Sequence, residues 1–252
     1  MLVLRSLAFN IAFYVNIIVW MIVILPTLVL PRRVLLAIVK AWARSNDLLL
    51  RGIAGIRTEI RGLEHLPPGP VLVAAKHQSA WETFALVPLF DDPSFVLKRE
   101  LMFIPFFGWY AGKVGMIAVD RGARSAALRS IAEQARMQAG QGRQIVIFPE
   151  GTRRAPGAPP AYKYGVAHLY AELDLPCLPI ALNSGCYWPR RRFIRRPGTI
   201  RVEILPPIAP GLDKKQFLDT LQASIETASD RLLDEASRET GLDLRALPSD
   251  PD

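Results

Sequence analysis

Residues 6–30 (SLAFNIAFYVNIIVWMIVILPTLVL) contain no charged side chain, and 20 of these 25 are apolar. No other feature constrains the folding of this 252-residue chain as strongly. A run of about 20 apolar residues is long enough to cross a bilayer. The competing reading is a secretory signal, whose apolar core is about 7–15 residues long and is followed closely by a small-residue cleavage site. Here the run ends in Pro31-Arg32-Arg33, and the Ala41-Trp42-Ala43 triplet lies beyond three cations. Arg32 and Arg33 also follow the apolar run, whereas twin arginines for export precede it. An uncleaved membrane anchor is therefore expected.

Downstream, Leu35, Ile38, Val39 and Trp42 recur at i, i+3, i+4 and i+7, the period of an amphipathic helix within about 34–56. Arg33, Lys40, Arg44 and Arg51 share another face of it. Such a helix suits the interface of an anionic leaflet, and it also suits the surface of a following domain. Pro26 and Pro31 separate the two segments, so residues 1–56 are expected to form a membrane-associated helical hairpin. Whether it crosses the bilayer or dips into one leaflet stays open. If it crosses, the cations after residue 31 place the body on the cytoplasmic side of the cell inner membrane.

The formal net charge is +8, which invites a nucleic-acid or an anionic-membrane partner. It is unevenly spread: residues 212–252 carry a net −5, leaving +13 on residues 1–211. Five arginines crowd Pro189–Pro197 (PRRRFIRRP). Such blocks can bind nucleic acid. Beside an anchor, membrane phospholipid is the expected partner, an acidic carrier protein is a further one, and no nucleic acid is expected. Cys177 and Cys186 alone exclude a disulfide scaffold and a Cys-based zinc site.

From residue 57 onward, short apolar runs bounded by turns alternate with helical patterns. Residues 71–75, 95–97, 116–119, 144–148 and 178–182 read as strands, several of them buried on both faces, and 199–205 alternates like an edge strand. Helical patterns lie at about 79–89, 124–140 and 163–173, and a final amphipathic helix at 213–240 carries Phe217, Leu221, Ile225 and Leu232 on one side. The expectation is an α/β domain over 57–252, with a central, mostly parallel sheet flanked by helices.

Chemistry-bearing clusters follow the strands. His77 and Glu82 come just after 71–75. They would diverge on one continuous helix, but with His77 in the turn the carboxylate can fold back and fix the imidazole tautomer, leaving the other nitrogen as a general base. Ser79-x-x-Glu82 is also a capping-box pattern, which explains Glu82 without any catalysis. Phe148-Pro149-Glu150-Gly151-Thr152-Arg153 follows 144–148; Gly151 permits a tight turn, and Thr152 and Arg153 can hold an oxyanion such as phosphate. A plain Glu150–Arg153 surface pair is the alternative. Lys98-Arg99-Glu100-Leu101 leads into Pro105-Phe106-Phe107-Gly108-Trp109, a cationic start to an aromatic segment that suits an anionic head beside an acyl chain, or simple core packing. Asp120-Arg121 ends the strand at 116–119.

These clusters, in this order over about residues 70–183, resemble the 1-acylglycerol-3-phosphate acyltransferase family of the glycerolipid acyltransferases. The complete hexapeptide at 148–153 carries the likeness most strongly. The resemblance implies that His77 is the general base and Glu82 its orienting carboxylate. It also implies that Lys98 and Arg153 bind phosphate, that Glu150, Gly151 and Thr152 shape that pocket, and that Arg121 adds positive charge. The implied reaction acylates the sn-2 hydroxyl of lysophosphatidic acid from acyl-CoA or acyl carrier protein, with no metal, no further cofactor and no covalent acyl-enzyme. Two departures stand out: Glu82 occupies a position where the family usually has Asp, and Arg154 one where Ser often follows the hexapeptide. Another lysolipid acceptor, such as a lyso-ornithine lipid, or lipid binding without catalysis are the alternatives.

Overall fold

The computed structural model describes residues 1–120 and 124–245, without the side chains of 124 and 125. Arg121, expected to add charge to the site, lies outside the described residues. The chain opens with α1 (Leu2–Ile24) and α2 (Arg32–Leu49), joined by a short 3₁₀ turn whose second residue is Pro26. Then follow β1 (Ile56–Arg61), β2 (Leu72–Ala75), α3 (Glu82–Ala85), β3 (Pro93–Lys98), α4 (Phe107–Val114), β4 (Ile117–Val119), α5 (Arg124–Gly140), β5 (Gln144–Ile147), α6 (Gly165–Leu173), β6 (Cys177–Leu182), α7 (Ser184–Tyr187), β7 (Gly198–Ile204) and α8 (Lys214–Thr240).

Among the described residues the sheet has seven strands in the order β1-β7-β6-β2-β5-β3-β4. The five from β6 to β4 run parallel, β7 runs antiparallel to β6, and β1 runs parallel to β7. Strand side chains alternate between the faces. Val71, Val73 and Ala75 join a core with α1, α2 and α3, while Leu72 and Ala74 join a second core with α5, α6 and α8.

Two expectations need correction. The helix expected over 79–89 shrinks to α3 and a 3₁₀ turn at Val87–Leu89, because Pro88 cannot continue an α-helix. The strand β7 is not at the edge: β1 flanks it. Its alternation arises because Ile200, Val202 and Ile204 enter the core while Thr199, Arg201 and Glu203 bond to α8 residues Glu239 and Arg231.

The apolar run folds as α1 and its following turn; Leu2–Val29 is long and apolar enough to cross a membrane, yet only 11% of its most apolar window is buried. It is therefore no core helix. Its polar residues turn inward: Ser6 Oγ accepts from the Arg195 amide at 2.9 Å, Asn10 donates to the Phe193 carbonyl at 3.2 Å, and Asn16 donates to Ser45 and Asn46 of α2. Phe9 and Phe13 pack edge-on against Trp188. At the far end the Tyr110 hydroxyl donates to the Met21 carbonyl at 2.8 Å. Leu4, Leu7, Ile11, Tyr14, Val15, Ile18 and Ile22 remain exposed along the opposite side. So long an apolar stripe calls for lipid cover, and the chain is read as membrane-associated.

Not all of the nearby cations face that lipid. Arg32 pairs with Asp92, which also holds the buried Arg143; Lys40 donates to the Asp91 carbonyl; Arg195 lies buried with its guanidinium 4.9 Å from the Trp188 ring. Arg32, Lys40, Arg143 and Arg195 brace the fold, whereas Arg33, Arg44, Arg51, Arg191 and Arg192 are exposed.

Candidate active site

The site lies at the C-terminal edge of β2, β5 and β3, three neighbouring parallel strands, where α/β sheets characteristically place their ligands. Beyond β2, alternation sends Lys76 toward α8 and His77 toward α3. Neighbouring strands lie about 4.8 Å apart, so the segments leaving β2, β5 and β3 rise side by side.

His77 Nδ1 is 2.9 Å from Glu82 Oε1, and the carboxylate is fully buried while the imidazole is 14% exposed. The same Oε1 accepts from the Gln78 and Ser79 amides, each at 2.6 Å, and Oε2 accepts from the Ser184 hydroxyl at 2.8 Å. Ser79 Oγ accepts in turn from the Trp81 amide at 3.1 Å. Capping and orientation of His77 are thus performed by one carboxylate. With donors on every side, Glu82 accepts from the Nδ1–H group of His77, which leaves Nε2 with its lone pair. The imidazole also stacks on Phe148, the rings 4.2 Å apart and 19° from parallel.

The loop after β5 is fixed to the same strand end. Gly151 adopts φ +66°, a left-handed conformation suited to glycine, and its amide donates to the Phe148 carbonyl at 2.9 Å. The Arg154 amide donates to the His77 carbonyl at 2.8 Å, and the Arg153 carbonyl accepts from Arg190 at 3.3 Å. Thr152 is exposed and Arg153 partly exposed.

Glu150 does not lie at the surface, as the alternative of a surface pair with Arg153 would require. It is 1% exposed, and its Oε1 accepts from Lys76 Nζ at 3.1 Å. Its carboxylate shapes the loop from beneath and is turned away from solvent. Burial pushes this carboxyl above its ordinary pKa, and Lys76 opposes that shift.

Lys98 ends β3 exposed, one strand beyond the loop. Arg99 pairs with Asp120 at 3.0 Å. Of the large apolar residues that follow, Phe103, Ile104, Phe106, Phe107 and Trp109 are exposed, while Tyr110 is buried in the core. In this segment Gly108 is required, because a Cβ there would stand 1.9 Å from the Met102 carbonyl oxygen.

Three participants carry no sequence signal of their own. Ser184 reaches Glu82 across 102 residues, Gly185 donates to Gln78 Oε1 across 107, and Glu226 of α8 reaches Lys76 across 150. Only the fold brings them to the site.

The family model described as Acyltransferase matches residues 57–183. The 1-acyl-sn-glycerol-3-phosphate acyltransferase of Pseudomonas aeruginosa is 44% identical over 169 residues, 67% of this chain and 66% of that protein. The 1-acyl-sn-glycerol-3-phosphate acyltransferase alpha of Mus musculus is 32% identical over 62% of this chain and 56% of that one. The chain thus aligns with somewhat under two thirds of the length of these relatives. In structure, the 1-acyl-sn-glycerophosphate (LPA) acyltransferase PlsC of Thermotoga maritima superposes with a TM-score of 0.78 at 22% identity, covering 92% of this chain and 98% of that one, which shows a shared fold. On the family match over half of its length, the chain belongs to the acyltransferase family.

Proposed function

We propose that this protein transfers a fatty acyl group from an acyl thioester, acyl-CoA or acyl carrier protein, to the sn-2 hydroxyl of lysophosphatidic acid, forming phosphatidic acid at a membrane. The observation that carries this reading is the His77–Glu82 pair, held at the strand edge beside the phosphate-suited 148–153 loop. The printed names of its relatives support the choice of acceptor.

His77 Nδ1–H donates to Glu82, so Nε2 takes the proton of the acceptor hydroxyl. The freed oxygen attacks the thioester carbonyl. The tetrahedral adduct collapses, the carbon–sulfur bond breaks, and the thiolate leaves with the proton that His77 carried. Arg153 and Lys98 hold the acceptor phosphate, since guanidinium and ammonium groups pair with phosphate oxygens. Thr152 adds a hydroxyl at the same loop, and Arg121 is assigned supporting charge from its place in the motif.

The protein lies in the plane of one leaflet. Bonds from Ser6 to Met21 fasten one long side of α1 to α2 and the catalytic body. A helix held to a water-soluble domain along its length cannot cross the bilayer without dragging that domain into hydrocarbon. The exposed aromatics at 103–109 lie at the end of α1 that Tyr110 grips. The exposed Arg33, Arg44, Arg51, Arg191 and Arg192 suit an anionic leaflet, so we place the body on the cytoplasmic face of the inner membrane.

The test is to offer the purified protein a panel of lysolipids with each donor type and identify the products by mass. Phosphatidic acid as the dominant product is expected. Acylation of another lysolipid, such as a lyso-ornithine lipid, in preference would replace the acceptor. No acylation at all would leave a lipid-binding protein.

A further inference from the structure

Beneath the site lies a charged cluster that the acyl-transfer chemistry does not use. Lys76, 2% exposed, directs its ammonium away from His77 and toward α8. Its Nζ donates to Glu226 Oε1 at 2.8 Å, to Glu226 Oε2 at 2.9 Å and to Glu150 Oε1 at 3.1 Å. The Tyr162 hydroxyl donates to Glu226 Oε1 at 2.8 Å. Glu150 Oε2 is buried with no hydrogen-bond partner.

One ammonium therefore holds two carboxylates, and one of these belongs to a helix outside residues 57–183. Buried charges persist only when paired and hydrogen-bonded, so the cluster holds its members in a narrow set of positions. Those members lie at informative places. Lys76 precedes His77 in the chain, and Glu150 precedes Gly151, Thr152 and Arg153. The Arg154 amide already bonds to the His77 carbonyl. The cluster adds a second tie between the same two segments, anchored from below by α8.

We infer that Glu226 is a positioning residue of the active site: through Lys76 and Glu150 it sets the placement of the phosphate-binding loop relative to His77. Glu226 touches no substrate in this arrangement. The inference rests on the acyl-transfer reading for its kinetic consequences, but not for its structural ones. Without the Glu226 carboxylate, Lys76 recentres on Glu150 and the loop shifts, so an acceptor held by its phosphate no longer presents its hydroxyl to His77.

Two variants of the full chain in detergent micelles test this. Glu226→Gln keeps size and shape but removes the charge. Lys76→Met combined with Glu150→Gln and Glu226→Leu removes all three charges together, so that no carboxylate is left buried without its ammonium, an exchange that buried ion clusters often tolerate in stability. In Glu226→Gln the acceptor kcat/KM is expected to fall about 10- to 100-fold, the worth of one hydrogen bond to a charged group, with donor KM nearly unchanged. In the triple variant the melting temperature recovers but the acceptor kcat/KM does not. Recovery of both would overturn the inference and leave the cluster a structural brace. Amide hydrogen exchange gives a second readout that needs neither turnover nor the triple variant's folding. In Glu226→Gln, faster exchange confined to residues 76–79 and 148–154 supports the inference, and unchanged exchange there overturns it. A wild-type protein that acylates no lysolipid would contradict the proposed function, and hydrogen exchange would still decide the role of Glu226.

Discussion

The carboxylate of Glu82 accepts from His77 Nδ1 at 2.9 Å with the same oxygen that closes the turn at the Gln78 and Ser79 amides. Orientation of the imidazole and formation of the turn are therefore inseparable. Glu82→Gln puts an NH2 group among donors. It should lower both stability, by about 1–3 kcal/mol for donors left unsatisfied, and kcat. The measurements are thermal unfolding and acceptor-saturated turnover. Loss of stability with full turnover would reduce Glu82 to a cap.

Ser184 meets the other oxygen of that carboxylate at 2.8 Å. Ser184→Ala removes one hydrogen bond to a charged group, worth about 1.5–3 kcal/mol. The expected result is a drop in kcat of about tenfold or more with both KM values nearly constant, because Ser184 acts through Glu82. A change in KM alone would place Ser184 at the substrate instead.

Arg153→Ala should raise the acceptor KM by about 10- to 100-fold through the lost phosphate contact, and the donor KM far less. Steady-state kinetics with each substrate varied in turn checks this. Equal effects on both would move Arg153 elsewhere in the site.

The site was only partly legible in the sequence, for identifiable reasons. His77, Glu82 and the 148–153 loop stand within short stretches that follow strands, so local pattern exposes them. Capping and orientation looked like competing explanations of Glu82, because spacing cannot show that one carboxylate does both. Ser184 and Glu226 reach the site only through the order β7-β6-β2-β5, which local pattern does not encode. The strand β1 is not legible because IRTEIR mixes charge into its alternation, and two of those charges, Glu59 and Arg61, belong to a cluster with Arg201. The helix α4 is not legible because Phe106, Phe107 and Trp109 read equally as a site for an anionic head beside an acyl chain and as core packing, without a helical stripe.

Stability should depend on Asp92 at low pH. Burial raises its pKa, but Arg32 and Arg143 outweigh that and hold it below the ordinary carboxylate range. A lowered folded-state pKa contributes stability above the unfolded value, about 3.9, and this is lost as pH falls through the folded value. Asp92→Asn leaves Arg143 buried without its carboxylate. It should cost about 3–5 kcal/mol near neutral pH and flatten the acid limb of the stability curve. Urea unfolding between pH 2.5 and pH 7 measures both; an unchanged acid limb would contradict this reading of the network.

The exposed face of α1 should hold the protein to lipid. Ile18 is 59% exposed, so Ile18→Lys should leave the melting temperature in detergent unchanged. It should weaken vesicle binding by up to about 3 kcal/mol if that face enters hydrocarbon. Vesicle cosedimentation reads the effect, and undiminished binding would mean that another surface meets the membrane.

The central claim is that His77 abstracts the proton of the acceptor hydroxyl. The most direct measurement is single-turnover acyl transfer by His77→Ala with lysophosphatidic acid and a saturating acyl thioester, alongside a melting curve. The account predicts a rate lower by about 10²–10⁴-fold, the usual worth of a general base, with the melting temperature preserved. A folded His77→Ala protein that transfers acyl groups at the wild-type rate would contradict it.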